Sequence, residues 1–274
     1  MRARHSGFVR HFQSIGGPSR SIGALLGVAV LLAGVLQTPA SATAANPYAN
    51  SLSTSHGYDV SYPNCSATAP LGDYFAIVGL GGGRPFAKNS CAAAEWAAAL
   101  SPTTVITPSL YFNTGYAGAY SKSIDSNCAG SSSKAGVFAG LTGHKLTQAE
   151  QAWAIGCSEV DFAHTYAASF RATSPTMWWA DIETGNSWST NVDLNQFALD
   201  GMSSEMALFG LGGFYSSSAM WSSITGSSSW TTQPPATANW VAGSACNGTV
   251  FDSGAPVWLS QGVPSNGIDS DIAC

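Results

Sequence analysis

A chain of 274 residues with 45% apolar and only 9% charged residues carries enough apolar material for one substantial core. Its formal charge of −5 argues against a polyanionic partner, and the six lysines and arginines beyond position 42 are scattered, which excludes a nucleic-acid-binding face. All fifteen acids also lie beyond that position, so the charge there is −9.

The first forty-two residues have the layout of an export signal. Arg2, Arg4, Arg10 and Arg20 precede the apolar stretch 22–36, and Pro39-Ala40-Ser41-Ala42 supplies small residues for cleavage after Ala42 or Ala44. The apolar stretch is too short to span a bilayer comfortably, so the expected product is secreted, soluble and free of the membrane once the signal at 1–42 is removed. Residues 43–56 read as a flexible leader, and 57–274 as a single domain. Cys65, Cys91, Cys128, Cys157, Cys246 and Cys274 all fall in the exported part, where an even count implies three disulfides. Of fifteen possible connectivities, neighbour pairing is the expectation: 65 with 91, 128 with 157, 246 with 274.

The domain opens with a short strand over 57–62, ended by Pro63-Asn64, and a second strand over 74–80 that runs into Gly81-Gly82-Gly83, expected as a flexible loop. Alanine-rich 90–100 predicts a helix capped by Ser90. A third strand at 109–113 leads into a Gly/Ser-rich loop tied down by Cys128. A long helix is expected from Thr147, which forms a capping box with Glu150. A fourth strand at 178–183, a helix over 194–209, a fifth strand at 213–216 and a short helix near Trp221 follow. Three further strands at 239–242, 256–261 and 267–271 come without room for full helices between the last two. Alternating strands and helices imply a parallel sheet, and eight strands close most simply into an α/β barrel of the TIM type.

The chemistry concentrates at Met177-Trp178-Trp179-Ala180-Asp181-Ile182-Glu183. In a strand Trp179, Asp181 and Glu183 share one face while Trp178, Ala180 and Ile182 take the other, setting the two acids about 6.6 Å apart at Cα. A carboxylic acid beside a carboxylate is what glycosidic bond hydrolysis needs, one to protonate the leaving oxygen and one to steady or attack the sugar. Asp59 and Asp269, with Asp271 as a second candidate on its strand, fall near the ends of other strands, and a barrel collects such ends at one mouth. Trp179, Trp188, Tyr111 and Trp258 are candidate stacking platforms for sugar rings. Like-charge repulsion from Asp181 and Asp59 is expected to keep Glu183 protonated. His56, His144 and His164 show no metal-ligand spacing, no nucleophile elbow appears, and no metal or cofactor is expected.

In order along the chain, Gly57-Tyr58-Asp59-Val60-Ser61, Phe75-Ala76-Ile77-Val78, Asp181-Ile182-Glu183, Gly213-Phe214-Tyr215, Trp258-Leu259-Ser260-Gln261 and Gly267-Ile268-Asp269 resemble the muramidase-type glycoside hydrolases of family 25. The resemblance implies a flattened barrel of five strand-helix units followed by three strands. It makes Glu183 the proton donor, Asp181 its partner, and Asp59 and Asp269 the outer acids. It implies cleavage of the β-1,4 bond after N-acetylmuramic acid in peptidoglycan, or in a related aminosugar glycan, by a monomeric, secreted or wall-associated enzyme without a metal. The family's Gln after the first Asp-Val-Ser is replaced here by Tyr62-Pro63-Asn64-Cys65, and its Tyr-His-Phe third strand by Leu110-Tyr111-Phe112-Asn113. A non-catalytic glycan-binding or structural barrel of the cell envelope is the alternative the same residues allow.

Overall fold

A computed structural model of the chain describes residues 44–49, 55–68, 73–100, 104–130, 136–243, 246, 251, 255–262 and 267–274. The export signal expected at 1–42 lies outside them. Eight strands close in sequence order: β1 (His56–Val60), β2 (Phe75–Gly79), β3 (Ser109–Asn113), β4 (Trp178–Asp181), β5 (Gly212–Ser216), β6 (Ala238–Ala242), β7 (Val257–Gln261) and β8 (Asp269–Ala273). The barrel expected from the alternation is therefore present. Its first seven strands are parallel, but β8 runs antiparallel to both β7 and β1. The connection 262–268 is too short for the crossover that a parallel pair requires, so the chain simply turns back.

Helices α1 (Ala92–Ala99), α2 (Gly143–Ser169), α3 (Val192–Phe209) and α4 (Ser218–Thr225) follow β2 to β5, one each. After β1 the described residues hold a 3-10 turn, Tyr62–Asn64, and no α-helix in the first of the five expected strand-helix units. Local chemistry explains the helix starts. Ser90 does not cap α1: Asn89 accepts the Ala92 N–H, the first of the helix, through its backbone carbonyl at 3.2 Å and the Cys91 N–H through Oδ1 at 2.9 Å. Helix α2 begins a turn before Thr147, whose hydroxyl donates back to the Gly143 carbonyl at 3.3 Å instead of capping. Asn191 caps α3 and Ser217 caps α4 through their side-chain oxygens.

The period-two pattern sorts side chains into two cores. Outward residues such as Val78, Leu110, Trp178, Ala180 and Phe214 pack under the helices, while inward ones, Phe75, Ile77, Trp179, Tyr215 and Trp240, fill the barrel. Tyr48 lies in the segment read from sequence as a flexible leader, yet it is wholly buried in the inner core. Its ring packs on Phe75, and its hydroxyl meets Ser109 Oγ and accepts from Trp179 Nε1 at 3.0 Å. This places residues 44–49 as a plug under the strand N-termini.

All three neighbour-paired disulfides are formed: Cys65–Cys91, Cys128–Cys157 and Cys246–Cys274, with Cα separations of 5.5, 5.8 and 5.2 Å. They tie the turn after β1 to the start of α1, the loop after β3 to the middle of α2, and the segment after β6 to the C-terminus. Loops of this length stabilise by about 3–4 kcal/mol each in the chain-entropy picture. Among the described residues no helix is long and apolar enough to cross a membrane.

Candidate active site

The C-terminal ends of the parallel strands open into a pocket of about 240 Å³. Asp59 comes from β1, Asp181 from the last position of β4, Glu183 from two residues beyond it, and Asp269 from the first position of β8. Because β8 is antiparallel, its N-terminal end reaches the same mouth, and Asp59 and Asp269 are register partners. The four acids picked out in the sequence thus share one hollow. Among the described residues no Lys, Arg or His lines it.

Neutral residues not predicted as site residues complete the site. Asn113 of β3 donates from Nδ2 to Asp181 Oδ2 at 2.6 Å, and its Oδ1 accepts the Gly83 N–H at 3.2 Å, so the orientation of the amide is set by both partners. The loop 81–83, expected to be flexible, is therefore part of the scaffold: a Cβ on Gly81 would come within 2.3 Å of Asn113 Oδ1. Gln261 of β7 donates from Nε2 to Asp59 Oδ2 at 2.9 Å, and Tyr215 of β5 donates to Gln261 Oε1 at 2.6 Å. Trp240 of β6 forms the floor, with ring edges against Tyr111, Trp179 and Tyr215. Tyr215 and Gln261 sit inside tripeptide and tetrapeptide matches already noted in the sequence, which was the available signal. Asn113 and Trp240 had none.

The expected stacking platforms divide. Tyr111 lines the pocket and hydrogen-bonds Ser61. Trp179 does not line it: it shares a face with Asp181 but sits one inward position, about 6.6 Å, deeper in the barrel and is fully buried against Tyr48. Trp258 is also core, beside a register shift at Asn239/Trp240, with its backbone carbonyl holding Asn46 Nδ2 and the Cys274 N–H. Trp188 packs on the outer core and donates from Nε1 to the Glu183 carbonyl at 2.8 Å, fixing the backbone of Glu183 and offering no platform.

Burial dominates the electrostatics. Asp59 is pushed up to about 7 by desolvation, with the charges of Asp269 and Glu183 adding to it against the Gln261 hydrogen bond. Asp181 is driven well above the usual carboxylate range, first by burial and then by the charge of Glu183. Glu183 and Asp269 are raised by burial. Glu183 is raised above a free glutamate, as expected, but desolvation leads where repulsion was expected to. Asp181 Oδ1 is buried without a hydrogen-bond partner among the described residues. The site therefore holds a partly exposed acid, Glu183, beside a fixed and buried one, Asp181. Among the described residues, one cluster of three potential metal ligands exists, Cys128, Cys157 and Glu205, and its two sulfurs are joined in a disulfide.

Comparison of the sequence with protein-family models and with curated proteins gives no match. In structure the chain is similar to the modular autolysin LytC from Streptococcus pneumoniae, at 12% identity and a TM-score of 0.49, covering 82% of this chain and 47% of that one. It is similar to the same autolysin in complex with a synthetic peptidoglycan ligand, at 11% identity and 0.46. A family GH25 lysozyme from Aspergillus fumigatus is also similar, at 12% identity and 0.43, covering 81% of this chain and 94% of the lysozyme. The chain spans about half the length of the autolysin it matches.

Proposed function

We propose that the protein is a secreted glycoside hydrolase that cleaves β-1,4 bonds of peptidoglycan or a related aminosugar glycan. One observation carries this reading: four carboxyls from three distant strands meet in one pocket with no basic residue among its lining. Such crowding and burial leave protons on carboxyl groups near neutral pH, which an acid catalyst requires.

Glu183 is the proton donor. It is the partly exposed member of the central pair, burial keeps its proton on, and its backbone is pinned by Trp188. Asp181, a lining residue of the pocket held through Oδ2 by Asn113, is the acceptor for a substrate N–H in this reading. An acetamido group fits that acceptor. In the resulting route, Glu183 gives its proton to the glycosidic oxygen and that bond breaks, while the acetamido oxygen of the sugar bonds to the anomeric carbon. Water, deprotonated by the Glu183 carboxylate, then opens the ring so formed and returns the proton to Glu183. Asp59 and Asp269 border the mouth as the outer acids, and Tyr111 offers its ring to the sugar.

Reducing-end release from peptidoglycan and from chitin oligomers tests the assignment. Glu183→Gln should lose activity by at least about a thousandfold, of the order seen when a group acting only in the transition state is removed, while glycan binding is kept. Absence of turnover by the unmodified protein on both glycans, with binding intact in both forms, would favour the non-catalytic binding barrel.

A further inference from the structure

Below the mouth lies a fifth carboxyl that the reaction above does not use. Asp271 is on β8, one inward position deeper than Asp269, and has no exposed surface. Its Oδ1 accepts the Trp240 Nε1–H at 2.9 Å, but its Oδ2 has no N–H or O–H donor in the protein. Asp59 is its diagonal neighbour on the paired strand, since Asp59 opposes Asp269 and Gly57 opposes Asp271, and the two carboxyls lie within reach of each other. On the other side Asp59 Oδ2 is taken by Gln261 Nε2, and Gln261 by the Tyr215 hydroxyl. Every donor in this chain is thereby assigned except the one between the two carboxyls, and two carboxylates cannot hydrogen-bond to each other without a proton.

We propose that Asp271 is a positioning residue for Asp59, the two carboxyls binding a single proton between them so that the pair carries one negative charge and Asp59 is held in a fixed orientation at the rim of the pocket. The groups facing the pair support this count. Asp269 on β8, Asp181 and Glu183 at the end of β4, Tyr111 on β3, Tyr215 on β5 and Tyr48 from the floor plug all interact with it electrostatically, and none is a cation. With no positive neighbour, the buried pair resists a second charge and keeps its proton well into the range where a lone aspartate has lost it. This parallels the way two like carboxyls in close contact titrate as one unit. The proton count stands on the juxtaposition of the two buried carboxyls and the donors around them; its bearing on rate rests on the proposed function of the mouth.

Carbon-13 NMR of protein labelled at the aspartate side-chain carboxyls, with D59N and D271N used to assign the two signals, is the test. In the unmodified protein both carbons should shift together through two separated steps. In D271N the amide donates to Asp59 without titrating, so Asp59 should show a single step at least one pH unit lower. In D59N the signal of Asp271 should likewise collapse to one step. Two independent single-step titrations in the unmodified protein, or a midpoint for Asp59 unchanged by D271N, would overturn the proposal. These readouts need no turnover. A shared titration in a protein inactive on both glycans would support the proton pair and remove only the enzymatic reading.

Discussion

Asn113 does two things with one amide. Its oxygen takes the Gly83 N–H and its nitrogen gives to Asp181, so a rigid glycine loop is transmitted to the orientation of a carboxylate. Truncation would leave Asp181, already buried with one oxygen unpartnered, without the described side-chain donor. A hydrogen bond to a charged group contributes about 1.5–3 kcal/mol, which sets the expected loss in Asn113→Ala at roughly 10- to 100-fold in kcat/KM. Asn113→Asp should be worse, because a third acid replaces the donor and drives the proton onto Asp181 more strongly. Steady-state kinetics of both variants on the same oligomer decide the point. An Asn113→Ala enzyme with the native kcat/KM would show that Asp181 needs no such holder.

The packing of α2 against α3 shows how small residues can determine an element's place. A Cβ built on Gly156 would lie 1.8 Å from the carbonyl oxygen of Ala198, and one on Gly201 would lie 2.1 Å from that of Trp153. The two helices cross backbone to backbone at these positions, and neither carbonyl can rotate away. In an exposed helix, Gly→Ala stabilises by about 1 kcal/mol; here the sign reverses. Gly156→Ala and Gly201→Ala should each destabilise by about 3 kcal/mol through overpacking, lowering Tm by about 6–12 °C in a domain of this size. A rise in Tm for either variant would contradict the close crossing. The example also marks what the sequence makes legible. The strand pattern, the cysteine pairing and the four acids could all be read, because alternation and cysteine spacing are local and charged residues announce themselves. Depth could not: Trp179 was assigned to the correct face and the wrong level, since period two says which way a side chain points and nothing about its height in a closed barrel. Asn113 and Trp240 serve the site through register with their neighbours, a relation that exists only after the strands pair. The early start of α2 and the packing of Tyr48 are likewise tertiary outcomes that local propensity does not contain.

At the scale of the whole molecule, the burial of acids without cations has a consequence for stability. Asp59 and Glu205 are each raised to about 7, from ordinary values of 3.8 and 4.5, with desolvation the leading cause in both. Asp181, Asp271 and Glu159 stand well above the usual range for the same reason, and Glu95, Asp73, Glu183 and Asp269 are raised as well. Between about pH 4 and pH 7 the native state therefore binds more protons than the unfolded chain, and stability must fall as pH rises through that window. The contribution is fully present below the unfolded carboxylate pKa and is lost as the raised groups ionise. Most secreted proteins with paired carboxylates slope the other way over the lower part of this range, because their acids are lowered in the folded state. Calorimetry at constant ionic strength should find Tm higher at pH 5 than at pH 8 by about 5 °C or more, equivalent to roughly 2 kcal/mol, and D271N should flatten the slope by removing one titrating group. A Tm that is level or rises from pH 5 to pH 8 would mean that these carboxyls find compensating partners or water in the folded protein, and the crowded mouth would then lose its reason for holding a proton at neutral pH.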